Sequence, residues 1–335
     1  MAQRRLELYG TLGPACQREE TLEGMFRAGM TGIRLNLSHV ALADCGQWLD
    51  SYFAAAHRVG HTPLLLIDLQ GPELRVGKLA SPIPLPQDGE VVLGAGGIPV
   101  PPLIFPALAP GQQVLLDDGA LLLEVVSAGA DAARCRVVRG GLLQSRKSIA
   151  LPGCGLRPPT LTQADLENLA IAAQCGVTGV MQPFVRDRED LLTLRRALEA
   201  AGAGHVRLFA KLENRMGVRD LPEFLDEADE IIIARGDLGN DLPLYELPGV
   251  QKQVASLCRR AGKPFMVVTQ LLHSMHHSPV PTRAEVSDIF NAVLDGASSL
   301  MLTGETAAGE YPVEAMAWLA NTARAALAFA EENGL

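Results

Sequence analysis

Residues 209–239 read FAKLENRMGVRDLPEFLDEADEIIIARGDLG and contain a pattern that repeats along the chain. A short apolar run at 206–211 ends in Lys211, which is followed by Glu213, and a second apolar run occupies 230–234. Each run has the length of a buried strand, and polar residues follow it. The pattern predicts two consecutive strands with charged side chains at their carboxyl ends.

The same alternation of short apolar runs and longer helical patterns extends outward along the chain. Strands are predicted at 6–12, 31–37, 63–68, 179–181, 206–211, 230–234, 264–269 and 299–303. Helices are predicted at 18–28, 41–58, 163–175, 188–201, 247–260 and 283–294, with a last helix from 312 to about 332. Strands that alternate with helices are typical of a parallel sheet. Eight such units predict an α/β fold, a (β/α)₈ TIM barrel.

The segment 71–151 interrupts the alternation, because it is rich in Gly and Pro and its strand-like pieces are short. These pieces are predicted at 90–93, 113–116, 121–126 and 134–138. The frequent prolines disfavour long helices. We therefore predict barrel residues 1–70, a small all-β domain at 71–151 inserted after strand 3, and barrel residues 152–335. An insertion on the side of the barrel where active sites lie is a candidate lid.

Length, charge and cysteine usage limit the classes of function. The chain has 335 residues, 48% of them hydrophobic, and a net charge of −9. No basic block offsets the acidity, so we expect neither nucleic acid nor a membrane surface as a partner. Six scattered cysteines, no apolar signal segment and no run of about 20 apolar residues predict a cytoplasmic protein with reduced thiols.

Polar side chains lie at the carboxyl ends of the predicted strands, where barrel active sites form. They are Arg34, Asn36, Ser38 and His39 at the end of the second strand, Asp68, Gln70, Glu73 and Arg75 at the third, Lys211 and Glu213 at the fifth, Arg235, Gly236 and Asp237 at the sixth, Thr269 and Gln270 at the seventh, and Thr303, Glu305 and Thr306 at the eighth. Singly, each has an ordinary structural explanation, such as a helix cap or an ion pair. Their convergence on one rim favours an active site.

The residue types at this rim suit a particular chemistry. Glu213 and Asp237 would hold Mg²⁺ or Mn²⁺, with water and substrate oxygens as the remaining ligands. Lys211 would add positive charge beside a transferring phosphoryl group or a developing enolate. Backbone amides around Gly236 would receive a substrate carboxylate, and Arg34 and Arg75 would contact phosphates. The sequence has no Walker A motif and no dinucleotide-binding GxGxxG after a strand.

In these motifs the chain resembles the pyruvate kinase family. The matching segments are AGMTGIRLNLSH (28–39), DLQGPELRVG (68–77), LDDG (116–119), AKLEN (210–214), ARGDLG (234–239), GKPFMVVTQLLHSM (262–275) and PTRAEVSDIFNAVLDGASSLMLTGETAAGEYP (281–312). Several long motifs in the same order extend the resemblance over nearly the whole chain. The family has a barrel with a β lid inserted after strand 3, which agrees with the predicted organisation.

The resemblance implies phosphoryl transfer between phosphoenolpyruvate and ADP, giving pyruvate and ATP, with Mg²⁺ (or Mn²⁺) and K⁺ as cofactors. It implies that Glu213 and Asp237 bind Mg²⁺ and that Thr269 lies near the point where the enolate is protonated. The implied catalytic residues are Lys211, Thr269 and Arg34. The implied substrate contacts are Ala234, Arg235, Gly236, Asp237, Thr269 and Lys211. The implied nucleotide contacts are Arg34, Asn36, His39, Arg75 and Lys147. The implied K⁺ ligands are Asn36, Ser38, Asp68 and the main-chain carbonyl of Leu69.

Some positions depart from the family pattern or refine it. Gln70 stands where the family usually has lysine, Pro183 where it has serine, and His273 where it has glutamate. Glu73 resembles the potassium-dependent members, and Asp117 with Lys147 resembles the lid residues that close over the site. We expect the family's C-terminal effector domain to be absent, and its effector control with it. A homodimer through barrel helices stays open.

Three hypotheses about function follow. The first is an active, effector-independent phosphotransferase, because the residues of the implied catalytic and metal sites are present. The alternative is a diverged metal-dependent enzyme of pyruvate or oxaloacetate enolate chemistry, acting as a lyase, a decarboxylase or a transferase to another acceptor. Gln70 and Pro183 motivate this alternative, because site chemistry rather than fold decides function. The third is a non-catalytic binding or regulatory protein, which would have no reason to keep every charged group of the metal site.

Overall fold

A computed structural model describes residues 6–38, 40–117, 119–154 and 156–334. They form two compact units, one within 1–71 and 160–335 and the other within 72–159. The strands are β1 (Glu7–Thr11), β2 (Gly32–Asn36), β3 (Leu64–Asp68), β4 (Ile83–Leu85), β5 (Glu90–Gly94), β6 (Gln113–Leu116), β7 (Leu121–Ala128), β8 (Ala132–Arg139), β9 (Gly141–Leu143), β10 (Ile149–Ala150), β11 (Gly179–Gln182), β12 (Arg207–Leu212), β13 (Glu230–Ala234), β14 (Phe265–Val268) and β15 (Ser299–Met301). The α-helices are α1 (Glu19–Ala28), α2 (Gly46–Arg58), α3 (Gln163–Ile171), α4 (Arg188–Ala200), α5 (Arg215–Phe224), α6 (Arg235–Asp241), α7 (Leu247–Ala261), α8 (Arg283–Leu294), α9 (Gly304–Ala307) and α10 (Pro312–Asn333). Short 3₁₀ helices occupy Leu42–Cys45, Pro102–Ala107, Leu225–Glu227 and His273–His276.

The first unit is a closed barrel of eight parallel strands in the order β1-β15-β14-β13-β12-β11-β3-β2. Each of the eight predicted strands overlaps one of these, so the predicted TIM barrel is confirmed. The second unit follows β3 in the sequence, as predicted for the insertion. Because all eight strands are parallel, their carboxyl ends meet at one rim, and the polar residues that follow them are brought to that rim.

Side-chain alternation along the strands gives the barrel interior its layers. On β12, Leu208, Ala210 and Leu212 belong to the large core that includes the surrounding helices, whereas Phe209 belongs to the cluster inside the barrel. Lys211 shares the interior side with Phe209, because alternate side chains of a strand share a face. The interior cluster consists of Tyr9, Leu66, Met181, Phe209, Ile232, Ala234, Met266, Val268 and Met301. The carboxyl-end charges therefore lie next to apolar side chains of the barrel interior, and the side chains of Arg34 and Lys211 are each 12% exposed.

A separate polar network occupies the amino ends of the strands. Glu230, at the start of β13, accepts a hydrogen bond from Arg207 Nη2 at 2.7 Å, and Glu7 lies 3.1 Å from Nη1 of the same guanidinium. Ser298 and Ser299 also donate to Glu230. Burial raises the pKa of Glu230 to about 7, although the hydrogen bond from Ser299 and the charge of Arg207 act in the opposite direction. The network satisfies buried polar groups away from the predicted active site.

The second unit is built mainly of β-structure. Five strands form an antiparallel sheet in the order β10-β6-β7-β8-β5, and β4 pairs with β9. The unit has its own apolar core, to which Leu93, Leu123 and Val137 contribute. As the frequent prolines led us to expect, the residues described in this unit contain no α-helix, and their one helical segment is the 3₁₀ helix Pro102–Ala107.

Some short elements were not predicted. Helices α6 and α9 have seven and four residues, too few to show a helical period. Helix α5 contains Gly217 and Pro222, two residues that disfavour helix. The helix predicted at 41–58 begins with the 3₁₀ turn Leu42–Cys45 and becomes α-helical at Gly46.

All six cysteines lie in the described ranges, and each is a free thiol. Among the helices that the structure describes, none combines the length and the apolar character needed to cross a membrane.

Candidate active site

The carboxyl ends of β2, β3 and β12 bring together four charged side chains, Arg34, Asp68, Lys211 and Glu213. Arg34 Nε donates to Asp68 Oδ2 at 2.9 Å, and Lys211 Nζ lies 3.1 and 3.2 Å from the two Asp68 oxygens. Lys211 Nζ also lies 2.7 Å from Glu213 Oε1. Asp68 and Glu213 are each 2% exposed. Lys211 is therefore held between two buried carboxylates, and Asp68 between two cations.

Burial and neighbouring charges set the ionisation of this cluster. Burial acts to raise the pKa of Asp68, but Lys211 and Arg34 outweigh it and hold the pKa below its ordinary value. Burial acts to lower the pKa of Lys211, but Asp68 and Glu213 outweigh it and raise the pKa. Burial raises the pKa of Glu213 to about 7; Lys211 opposes this, and the negative charges of Asp237 and Asp68 add to it. Lys211 is thus a cation at neutral pH, whereas Glu213 lacks enough positive charge to keep it fully ionised.

Glu213 and Asp237 have the donor chemistry that a divalent metal requires. Glu213 follows β12 and Asp237 follows β13, and these strands are neighbours in the barrel. Because Asp237 raises the pKa of Glu213, a cation near both would favour their ionised forms. Glu213 Oε2 accepts a hydrogen bond from the Phe184 N–H at 2.7 Å, which orients the carboxylate. Two carboxylates suit Mg²⁺ or Mn²⁺, which keep several water or substrate ligands.

A metal ion at Glu213 and Asp237 would need water or substrate as further ligands. The described residues contain no group of three or more His, Cys, Asp and Glu side chains placed to hold an ion.

The predicted potassium ligands lie at the ends of β2 and β3. Asn36 and Asp68 are register partners across these two strands. Asn36 Oδ1 accepts a hydrogen bond from the Ser38 N–H at 3.1 Å, which turns the chain after β2. Leu69 follows Asp68 directly and donates its N–H to Met181 O at 3.2 Å. The four residues are on adjacent strand ends, and their assignment to K⁺ stays a prediction.

A second group of predicted site residues lies at the ends of β13 and β14. Ala234 and Val268 are register partners there. Arg235 Nε and Nη2 donate to the main-chain oxygen of Thr269 at 3.2 and 2.6 Å. The Gly236 N–H donates to Thr269 Oγ1 at 2.7 Å. The amide that was expected to receive a substrate carboxylate is therefore bonded to a side chain of the protein.

Two of the predicted nucleotide contacts belong to the second unit. Arg75 Nη2 lies 2.6 Å from Glu73 Oε2, and Lys147 Nζ lies 2.8 Å from Asp117 Oδ1. The strand-like pairing of Arg75 with Ser148 places Arg75 and Lys147 on neighbouring chain segments. His39, a third predicted contact, lies outside the described residues.

Asp165 organises the loop after β3, and sequence reasoning missed it. This buried carboxylate accepts hydrogen bonds from the Gln70 N–H at 2.8 Å and the Gly71 N–H at 3.1 Å. It also forms a capping box with Thr162 at the start of α3. The Thr-x-x-Asp spacing is the sequence signal for the cap, but no local signal indicates that the same carboxylate reaches residues 94 and 95 positions away.

Glu305 and Asp288 are two further carboxylates that accept hydrogen bonds from residues distant in the sequence. Glu305 accepts from the Thr303 N–H at 2.8 Å and the Leu272 N–H at 3.3 Å, so it joins the loops after β14 and β15. Asp288 lies on α8, and its two oxygens accept from Arg235 Nη1 at 2.9 and 2.7 Å. Glu305 was among the rim residues singled out from the sequence; Asp288 was not.

We expect Gly71→Ala to lower the free energy of unfolding by about 2–5 kcal/mol. Gly71 has φ +59°, and a Cβ there would lie 2.3 Å from Pro183 Cγ. The loss combines a left-handed conformation, which costs about 1–2 kcal/mol, with overpacking against a rigid ring, which costs about 1–3 kcal/mol. Urea denaturation of both proteins measures it.

Gly60→Ala is the matched control, because Gly60 has φ +68° but open space where its Cβ would lie. The control should lose only the conformational part. Equal losses at Gly71 and Gly60 would show that the contact with Pro183 relaxes at no cost.

Comparisons with known proteins agree with the barrel architecture. The family model for the pyruvate kinase barrel domain matches residues 3–95 and 99–316. The chain is 37% identical over 324 residues to a pyruvate kinase of Geobacillus stearothermophilus, covering 93% of this chain and 55% of that protein. It is 38% identical to pyruvate kinases of Methylorubrum extorquens and Chlamydia pneumoniae, covering 93% of this chain and 66% of each of those proteins. The chain thus spans between about half and two thirds of the length of these relatives. Because the match extends over nearly all of its barrel and its inserted unit, this chain belongs to the pyruvate kinase family.

Proposed function

We propose that this chain transfers the phosphoryl group of phosphoenolpyruvate to ADP, giving pyruvate and ATP. The observation that carries the proposal is the Lys211 ammonium, held between Asp68 and Glu213 at the carboxyl end of the barrel. Burying a lysine in this way costs free energy, and such burial is typical of a site that stabilises an anion. The relatives named above are pyruvate kinases, and membership of their family supports the same reaction here.

Phosphoryl transfer breaks the bond between phosphorus and the enol oxygen and forms a bond to a terminal oxygen of ADP. Negative charge is spread over the transferring group and builds up on the enol oxygen. Lys211 keeps its proton and supplies a fixed positive charge for these oxygens. Arg34, oriented by Asp68, supplies a second. The apolar interior of the barrel strengthens both interactions, because it replaces water near the charges.

Protonation of the enolate at its terminal carbon completes the proposed reaction. Thr269 is the residue we propose beside that carbon. Its Oγ1 accepts from the Gly236 N–H at 2.7 Å and donates to Val268 O at 2.6 Å. Its backbone has φ +73°, a conformation that β-branched residues rarely adopt. Strain of this kind is found at functional sites, where the surroundings hold it in place.

Two kinds of cation complete the proposed site. Glu213 and Asp237 would hold Mg²⁺ or Mn²⁺, which supplies positive charge to phosphoryl and enolate oxygens when it is bound. Asn36, Ser38, Asp68 and the carbonyl of Leu69 would hold K⁺. These assignments rest on the donor chemistry of the residues and on the family. Arg75, His39 and Lys147 as nucleotide contacts, and a homodimer, stay predictions.

We expect Glu213→Gln to weaken Mn²⁺ binding at least about tenfold, since loss of a single supporting group already costs that much. The amide keeps the shape of the side chain but loses its negative charge. Calorimetric titration of the protein with Mn²⁺ alone measures the change. Glu167→Gln, on the exposed side of α3, is the control and should bind Mn²⁺ as the unaltered protein does. Unchanged affinity in Glu213→Gln would remove Glu213 from the metal site.

The proposed function is tested by measuring pyruvate and ATP from phosphoenolpyruvate, with and without ADP, in the presence of Mg²⁺ and K⁺. We expect pyruvate to form only with ADP, and one ATP with each pyruvate. Pyruvate release from phosphoenolpyruvate without ADP, or from oxaloacetate, would instead favour the diverged enolate enzyme. No ATP under any of these conditions would contradict the proposal.

A further inference from the structure

We propose that Asp288 is a positioning residue for the proposed reaction: through Arg235 it holds Thr269 in the positive-φ conformation in which the Thr269 hydroxyl accepts from the Gly236 N–H. The proposal rests on the proposed function and extends it to a residue on α8 that does not touch substrate. Three groups support it: the Asp288 carboxylate, the Arg235 guanidinium and the strained backbone of Thr269.

Arg235 joins two other groups of the protein. Its Nη1 lies 2.9 and 2.7 Å from the two oxygens of Asp288, and its Nε and Nη2 chelate the main-chain oxygen of Thr269. The Arg235 side chain is 12% exposed. A guanidinium is planar, so fixing one of its edges fixes the direction of the other. Asp288 therefore determines where Arg235 holds Thr269.

Thr269 needs such support because its backbone is strained. Thr269 and Gln270 are consecutive residues with φ +73° and +54°. A residue with a branched Cβ rarely keeps a positive φ unless its surroundings enforce it. The bonds from Arg235 hold the Thr269 carbonyl, and the Gly236 N–H holds its hydroxyl. Loss of the Arg235–Asp288 pair leaves only part of this support.

Helix α8 is a firm platform for Asp288. Its first turn has a capping box between Thr282 and Glu285. Glu285 also accepts from the Ser274 N–H at 2.7 Å and the Ser274 hydroxyl at 2.6 Å, which ties α8 to the segment after β14. The helix that carries Asp288 is thus joined to the chain that carries Thr269 at a second point. Displacement of Thr269 relative to α8 is restricted at both.

The chemical consequence expected is on proton transfer. We place Thr269 beside the enolate carbon, whereas Lys211, Arg34 and Glu213 are held by bonds that do not include Asp288. By microscopic reversibility, a site that protonates the enolate also removes a C3 proton from pyruvate. Exchange of that proton with solvent reports on the Thr269 step without phosphoryl transfer.

The test is Asp288→Asn, which keeps the size of the side chain and removes the charge and one acceptor oxygen. We expect kcat for pyruvate formation to fall about 10- to 100-fold, as for a small displacement of a reacting group. We expect C3 proton exchange to fall in parallel and KM for phosphoenolpyruvate to change less than about threefold. Asp288→Glu keeps the charge and should recover part of the loss.

Asp295→Asn is the matched control, because Asp295 ends the same helix and pairs with Lys252 at 2.6 Å, away from Thr269. It should leave kcat, KM and proton exchange unchanged. A kcat for Asp288→Asn within twofold of the unaltered protein, or a change in KM alone, would overturn the proposal.

A crystal structure of Asp288→Asn separates this proposal from the proposed function. If the unaltered protein forms no pyruvate and exchanges no C3 proton, the proposed function fails, and the structure alone decides the positioning role. Thr269 at negative φ, with its hydroxyl released from the Gly236 N–H, would support the role of Asp288. Thr269 at positive φ with the same bonds would overturn it.

Discussion

Lys211→Met lowers the rate of pyruvate formation at least about 10³-fold, the upper range for the loss of one group that stabilises transition-state charge. Methionine fills a similar volume but leaves no cation between Asp68 and Glu213. The transferring phosphoryl group and the enol oxygen then lose their nearest fixed positive charge. Steady-state kinetics with saturating ADP, Mg²⁺ and K⁺ measure the loss in kcat.

Two further variants test whether the loss of kcat comes from removing the positive charge of Lys211. Lys211→Arg keeps the charge but places it differently, so it should retain more activity than Lys211→Met while remaining well below the unaltered protein. Lys252→Met removes a half-exposed lysine paired with Asp295 and should leave kcat unchanged. Activity of Lys211→Met within tenfold of the unaltered protein would show that Lys211 does not stabilise the transition state.

Asp68→Ala is expected to lower the free energy of unfolding by about 3–5 kcal/mol at neutral pH, the cost of leaving buried charges without a partner. Asp68 is the one group bonded to both Arg34 and Lys211 in this cluster. Arginine cannot lose its proton, so the variant has no inexpensive way to neutralise the site. Lys211→Met should cost less stability, because Glu213, whose pKa is raised to about 7, can take up a proton.

The effect of Asp68 also has a pH dependence with a definite sign. The folded-state pKa of Asp68 lies below its ordinary value of 3.8, so its contribution is complete above that value. The contribution is lost as pH falls below 3.8 and through the folded pKa. Urea denaturation at pH 7 and in steps below pH 4 should therefore show the difference between the two proteins shrinking on the acid side.

Asp50→Ala is the control for the stability of Asp68→Ala. Asp50 is an exposed carboxylate on α2, and its loss should change stability by less than about 0.5 kcal/mol at every pH. A loss for Asp68→Ala that does not depend on pH would show that packing, rather than charge, is responsible.

The fold could be predicted from the sequence because its signal is repeated. Each barrel strand is a short apolar run flanked by polar residues, and eight runs in alternation with helices leave few other architectures. The strand at 230–234 was predicted with the bounds that β13 has. Side-chain alternation along β2 places Arg34 and Asn36 on one side, and the buried Ile33 and Leu35 on the other side belong to the core outside the barrel interior.

The residues that lie at the rim could be predicted for a related reason, because parallel strands bring all their carboxyl ends to one side of the barrel. Lys211, Glu213 and Asp68 were therefore expected to meet before any distance was known. Their charge states could not be predicted from the sequence. The pKa of Glu213 depends on burial and on Asp237, which follows a different strand, and no local pattern reports burial or the distance between two strand ends.

The barrel, the inserted β unit and the set of charged residues at the rim could all be predicted from the order of residues. The contacts that hold these residues in place became known from the three-dimensional structure. Asp165 reaches the loop after β3, Asp288 reaches Arg235, and the Gly236 amide bonds the Thr269 hydroxyl. The physical reason is that the period of a strand or helix records which face a residue takes, whereas a hydrogen bond between residues 33 to 95 positions apart leaves no trace in that period.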